Sequence, residues 1–218
     1  VLLLVRNQKG DPVRWIDGAA EKGLHRTSWD LRYAAPDPID FRKPDFTPPW
    51  AGEPQGPLAA PGTYSVTLYV LHEGVLEPQG TPREFKVRPV DTAPEGMDFA
   101  AVAEFQQANS ELSRRISGAR RQLGEADQRL RHMDAALTRT PKATPALFAQ
   151  VNKLEKDLSE LRMRLSGDPS RQRMNEATTP SISSRVGEVI YGHWETRQMP
   201  TEAFRQNIEI AQRDFEGF

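Results

Sequence analysis

Polar and apolar residues alternate with a period of two in the first part of the chain, and apolar ones recur every three to four residues in the rest. In residues 23–33 the large side chains Trp29, Leu31 and Tyr33 are separated by polar neighbours. In residues 61–70, Tyr64, Val66, Leu68 and Val70 share one face of a strand, with Ser65, Thr67 and Tyr69 on the other. Two strands that each bury one face need a second sheet to bury them against, which predicts a β-sandwich. Residues 1–7 read as a strand, Gln8-Lys9-Gly10-Asp11 as a turn, and residues 12–17 as the returning hairpin partner. Residues 63–71 and 83–88 close the sheet, joined by a connection containing Gly74, Pro78, Gly80 and Pro82.

Past residue 97 the period changes. Leu112, Ile116, Ala119, Leu123, Ala126, Leu130, Met133 and Leu137 form a heptad seam, which predicts a helix over residues 98–137, roughly 60 Å long at 1.5 Å per residue. Thr140-Pro141 ends it. Thr144, followed by Pro145, reads as the N-cap of a second helix with the seam Leu147, Val151, Leu154, Leu158, Leu161 and Leu165. Gly167-Asp168-Pro169 stops that helix. So short a connection makes the two helices antiparallel. The expected register sets Ala126 near Leu158 and Leu123 near Leu161. Residues 168–178 read as a polar connection. Thr179-Pro180 opens a third helix and Thr201 caps a fourth. These two are expected to cover Ile116, Leu112 and Phe105, which overhang the second helix.

The predicted class is therefore α+β in separate domains, an immunoglobulin-like β-sandwich followed by an antiparallel helical hairpin and bundle. The expected boundaries are residues 1–90 for the sandwich, 91–97 for a linker and 98–218 for the helices. A proline-rich loop at residues 34–62 interrupts the sandwich with 8 of the 18 prolines, a density that forbids helix and central strand. Its aromatic residues set it apart from a solvated linker.

Charge narrows the partners. Residues 1–96 carry 11 Lys and Arg against 13 Asp and Glu, and residues 97–218 carry 18 against 17, giving −2 and +1. Neither part has the one-signed field of a nucleic-acid binder, and Arg114, Arg115, Arg120, Arg121, Arg129 and Arg131 are interleaved with acids. There is no cysteine, hence no disulfide framework and no thiolate metal site. The opening Val1-Leu2-Leu3-Leu4-Val5 is too short for a membrane span and reads as a core strand. A core strand without a preceding cap suggests a piece of a longer protein.

No Gly-x-Ser-x-Gly elbow, phosphate-binding glycine loop or His-Glu-x-x-His motif occurs. His25, His72, His132 and His193 are scattered, without the clustering a metal site needs. Asp30 has no second carboxylate placed beside it by the sequence, as a glycosidase pair would require, and is expected to pair with Arg32 or a neighbouring strand. No catalytic, cofactor or metal site is assigned. Phe41, Phe46 and Trp50 are the candidate partner-binding residues. They would stack against a sugar or peptide, or else pin the proline-rich loop onto the sandwich or onto an adjoining domain.

The run Gly23-Leu24-His25-Arg26, then Trp29-Asp30-Leu31-Arg32-Tyr33, joins Trp50-Ala51-Gly52, Gly56-Pro57-Leu58-Ala59 and Pro61-Gly62-Thr63-Tyr64 in a pattern. It resembles the C-terminal region of large bacterial secreted proteins with BNR-type, sialidase- or sortilin-like β-propellers. There a propeller is followed by an immunoglobulin-like domain of the hook-capping type and a helical tail. The resemblance covers most of residues 1–96 and, more loosely, the helices, where Pro200-Thr201 also fits. The propeller is not in this sequence, nor is the strand such proteins place before Val1, so no propeller activity carries over. The resemblance implies an extracytoplasmic location, periplasmic or secreted.

The expected function is a non-catalytic structural or interaction module, supporting or docking onto a larger extracytoplasmic protein or membrane-associated assembly. Its expected partners are proteins, including an upstream propeller, with no nucleic acid and no membrane span. The alternative is an accessory domain of a propeller glycosidase-like enzyme, contributing substrate contacts through the proline-rich loop.

Overall fold

A computed structural model describes residues 1–39, 41, 46–49, 52, 54–90, 96–194 and 196–218. It divides into two compact units. The first comprises Val1–Pro36, Arg42–Ser110 and Thr196–Met199, and the second comprises Asp37–Phe41, Glu111–Glu195 and Pro200–Phe218. Most of the expected linker, residues 91–95, lies outside the described residues.

In the first unit, β1 (Leu2–Asn7), β2 (Pro12–Asp17), β3 (Gly62–His72) and β4 (Val75–Val87) form one antiparallel sheet of order β2-β1-β3-β4. The unbroken apolar run at the start of the chain suits β1, an interior strand covered on both faces. Leu4 and Val5 point to opposite faces, and each is 2% exposed. The β1–β2 turn is built by Asn7, whose Oδ1 accepts the backbone N–H of Lys9 and of Asp11, both at 2.9 Å.

β3 and β4 form a longer hairpin than expected. Glu73 and Gly74 both adopt positive φ (48° and 81°), the two-residue turn whose twist matches that of the flanking strands. Residues 75–82, expected to be a connection because of Pro78 and Pro82, belong to β4. That strand is at the sheet edge, so its outward N–H positions need no partner and proline is tolerated.

Residues 23–33 are not a strand. Leu31 has φ 60°, a left-handed conformation that breaks an extended run, and Arg32 makes only an isolated bridge to Leu58. The expected second sheet is not shown among the described residues, whereas the order of sheet first and helices after it is as expected. One face of the sheet is covered instead by the irregular segment. Trp29, Tyr33 and Ala59 pack on a core of Val5, Val13 and Tyr64, together with Ile16, Val66, Phe85 and Val87. Burial pushes the Tyr64 phenol up to about 12, with Tyr33 adding to the shift, and its hydroxyl donates to the Ala60 carbonyl at 2.7 Å. On the other face, Trp15 meets Tyr69 edge-on at 5.2 Å.

The covering segment is strapped to residues 56–59. Tyr33 N–H donates to Pro57 O at 2.9 Å, Ala59 N–H to Leu31 O at 2.7 Å, and Arg32 Nη1 to Gly56 O at 3.1 Å. Gly56 is required by close approach. A Cβ there would lie 2.3 Å from Tyr33 O and 2.4 Å from Ala34 O, both backbone atoms that cannot swing aside. Gly56→Ala is expected to cost about 1–3 kcal/mol in urea denaturation, as overpacking does. An unchanged midpoint would show that the strap moves freely.

The helices are α1 (Phe99–Thr138), α2 (Pro145–Ser166), α3 (Pro169–Arg173), α4 (Ile182–His193) and α5 (Glu202–Glu216). The heptad seams place α1 and α2 within a residue or so of expectation. Thr144 is extended before Pro145, but its side chain makes no capping bond. The connection at residues 168–178 contains α3, which proline and a cap explain: Asp168 Oδ1 accepts the N–H of Ser170 at 2.8 Å. α4 is capped by Ser181, one residue past the Thr179-Pro180 signal, and α5 by Thr201 as expected.

In the second unit, α1 contributes the buried Leu112, Ile116, Leu123 and Leu130, and α2 contributes Leu158 and Leu165. Arg162 ties the two helices together, donating to Asp127 Oδ1 at 3.0 Å and to the Leu123 carbonyl at 3.4 Å. This agrees with the antiparallel register that sets Leu123 near Leu161. α4 and α5 pack on each other through Arg185 Nη1 on Asn207 Oδ1 at 2.7 Å and an edge contact of His193 with Phe204 at 6.0 Å. The Phe215 ring of α5 lies under the Arg115 guanidinium of α1, 5.0 Å from its centroid.

Candidate functional site

Phe41 and Phe46 are 95% and 71% exposed, so neither is pinned against the protein as one reading of the proline-rich loop expected. Trp50 lies outside the described residues. Asp30 Oδ1 accepts the backbone N–H of Arg32 at 3.0 Å, a local turn bond in place of the guanidinium pair the sequence suggested. The histidines stay apart. His25 Nε2 bonds to the Glu21 carbonyl, His72 lies 3.9 Å from Glu73, and His193 is buried in the second unit. Among the described residues no three metal-binding side chains cluster.

Two apolar surfaces take the place of those candidates. The first is a cleft of about 440 Å³ in the first unit, walled by Leu31, Leu58, Val87, Val90, Phe99 and Val102. Arg88, Arg197 and Gln106 are the polar residues in its described lining. The strained φ of Leu31 turns a large apolar side chain, 39% exposed, toward this cleft. Among the described residues the lining holds no carboxylate, imidazole, hydroxyl or thiol, and what these residues offer a ligand is shape and apolar contact with guanidinium groups in the wall.

The second surface is a groove of about 570 Å³ along the α1–α2 hairpin. Its floor is Ala126, Leu130 and Met133 from α1 and Leu154, Leu158 and Leu161 from α2, and Gln122, Glu125, Arg129 and Asp157 also line it. The two sides of the hairpin differ. On one, Asp127 accepts from both Arg162 at 3.0 Å and Arg131 at 2.8 Å, a network suited to water. On the other, Met133 and Leu154 are each 49% exposed, and Leu147 is 43% exposed one heptad before Leu154. The apolar residues of the hairpin thus fall into two rows, α1 contributing only Met133 to the open one. The row of Leu123, Leu130, Leu158 and Leu165 is buried, and the row of Met133, Leu147 and Leu154 is open.

From the sequence, these seam residues are expected to pack within the hairpin, with recruitment of a partner helix as the alternative and the hairpin tip available for partner contact. The sequence reading missed Gln106 and Asn109, each 2% exposed on α1. The Gln106 amide donates to the Thr196 carbonyl at 3.2 Å. The available signal was two polar residues interrupting the apolar spacing between Val102 and Leu112. No family model, curated protein or solved structure matches the chain.

Proposed function

We propose that the chain is a non-catalytic structural and interaction module that supports, or docks onto, a larger extracytoplasmic protein or membrane-associated assembly. The observation that carries this reading is the open apolar row of the α1–α2 hairpin, set opposite a face closed by ion pairs. Half-exposed Leu and Met in heptad register mark a surface that association would bury. The extracytoplasmic setting rests on the resemblance to propeller-bearing secreted proteins, as does the immunoglobulin-like sandwich, of which the four-stranded sheet would be one layer. None of the described helices is long and apolar enough to cross a membrane.

Site-specific photo-crosslinking in the producing cell tests the reading. A photoreactive residue at Leu154 is expected to give a discrete protein adduct, and one at Glu155, which lines the other side of the hairpin, none. Equal labelling at both positions, or turnover of glycosides or esters by the purified chain, would count against it. The exposure of Phe41 and Phe46 favours the second reading, an accessory domain of a propeller glycosidase-like enzyme. That reading expects glycan binding that is lost in Phe41→Ala or Phe46→Ala.

A further inference from the structure

We infer that the cleft of the first unit binds a single-chain amphipathic anion, an alkyl carboxylate of about ten carbons whose chain lies in the cleft and whose head group meets Arg88 and Arg197. The residues of this site all belong to the first unit, and none lines the hairpin groove, so the site stands independently of the interaction reading.

Three observations select that ligand. The first is the wall. Leu31, Leu58, Val87, Phe99 and Val102 bound a space of about 440 Å³, a size typical of small-molecule sites. At roughly 30 Å³ for a group the size of a water or a methylene, the space holds about a dozen such groups, which is one alkyl chain and not the two of a phospholipid. The second is charge. Among the described residues, Arg88 and Arg197 are the charged members of the lining, and both are cationic. A cationic amphiphile would be repelled and a neutral one would gain little from them, whereas a carboxylate can take paired N–H donors from a guanidinium. Arg197 is also anchored, since its Nη1 and the buried Gln106 amide both donate to the Thr196 carbonyl, at 3.0 Å and 3.2 Å. The third is Leu31. A bulky residue at φ 60° is a conformational outlier, and here it holds a large side chain at the cleft, 39% exposed. The bond from Ala59 N–H to Leu31 O at 2.7 Å keeps the backbone in place. An alkyl chain laid along the cleft would cover that exposed surface.

Isothermal titration calorimetry of the full chain with sodium decanoate, from about 10 µM to about 1 mM, provides the test. Saturable binding at one site is expected. Decanoate should bind about tenfold more tightly than octanoate, as two further buried methylenes imply. Decan-1-ol should bind more weakly, and decyltrimethylammonium should not bind. Arg88→Gln should weaken decanoate by at least about fivefold and leave decan-1-ol unchanged, which separates loss of the charge contact from loss of the fold. Leu31→Gly should weaken decanoate by a similar factor while keeping the urea midpoint, because a φ of 60° suits glycine. Asp91 and Glu95, between the lining residues Val90 and Met97 in the sequence, lie outside the described residues, and the double variant Asp91→Asn, Glu95→Gln should bind decanoate as the parent does. Absence of saturable binding overturns the proposal, as does binding that appears only in that double variant. Equal affinity for decanoate and for the neutral or cationic analogue also overturns it, as does parental affinity in both Arg88→Gln and Leu31→Gly. Sedimentation of the chain with phosphatidylglycerol vesicles, without decanoate binding, would assign the cleft to a membrane surface and reject the proposal.

Discussion

Trp29→Ala is expected to destabilise the first unit by about 3 kcal/mol, the lower end of the range for aromatic truncation in a core. The lower end applies because the ring is only half buried. Trp29 packs against the sheet, 5.3 Å from the Tyr64 ring at 60° and 6.1 Å from the Phe85 ring at 79°, angles that suit the ring quadrupoles. Its Nε1–H donates to the Arg32 carbonyl at 2.9 Å, which closes the turn that Asp30 begins. Removing the side chain takes away apolar contact and a bond that helps hold the covering segment down. Trp29→Phe separates the two effects. It keeps most of the packing, loses the bond, and should cost about 1 kcal/mol on that account. Urea denaturation followed by circular dichroism gives the magnitudes, and amide exchange should show the loss of protection in β3 and β4. An Ala variant with the parent midpoint would place the ring outside the core and reopen a binding role for it.

The same residue shows how far the sequence could be read. Alternation correctly marked Trp29 and Tyr33 for packing against a sheet but not Leu31, which is 39% exposed and lines the cleft instead. It did not decide strand pairing, which depends on the backbone. Leu31 at φ 60° is a conformation that glycine usually signals and that no glycine announced here. Proline misled in the opposite direction at β4. Pro78 and Pro82 exclude a central strand but not an edge strand, and edge position becomes known only when the sheet order is known. The helices were the most legible part, since heptad spacing over many turns admits no competing period. The spacing still could not separate the buried row from the open one. Leu158, 8% exposed, and Leu154, 49% exposed, are neighbouring positions of one seam and line the same groove, and the depth to which each is buried follows from the packing of α1 on α2 rather than from the spacing. The cleft of the first unit left no local trace, because Leu31, Leu58, Val87 and Phe99 are brought together from four distant segments.

Ile116→Asp should release α4 and α5 while leaving the far end of the α1–α2 hairpin folded. Ile116 is 3% exposed in the second unit, beyond the part of α1 that α2 was expected to cover. Next to it, Arg115 lies over the Phe215 ring of α5, and Arg164 of α2 donates to the Gly217 carbonyl at 2.8 Å. The substitution forfeits about 1.5–3 kcal/mol of side-chain burial and adds the desolvation of a carboxylate, at least a further ~2 kcal/mol. The short helices have little to set against such a loss. α4 buries Ile182, Val186 and Val189, and α5 buries Ile208 and Ala211. The hairpin end keeps Leu123, Leu130 and Leu158 and the Arg162–Asp127 pair, none of which involves position 116. Hydrogen exchange should therefore speed up through residues 182–216 and stay unchanged near residues 123–130 and 158–162. Acid should moderate the effect. A carboxylate forced into apolar surroundings has its folded pKa raised above the unfolded value of about 3.9, so the variant recovers stability below that value and loses it as the pH rises through the folded pKa. Exchange corrected for intrinsic rates should accordingly differ less from the parent at pH 4 than at pH 7. Protection lost first at the hairpin end, with α4 and α5 unaffected, would mean that those helices are held elsewhere and that the packing of Ile116 does not secure them.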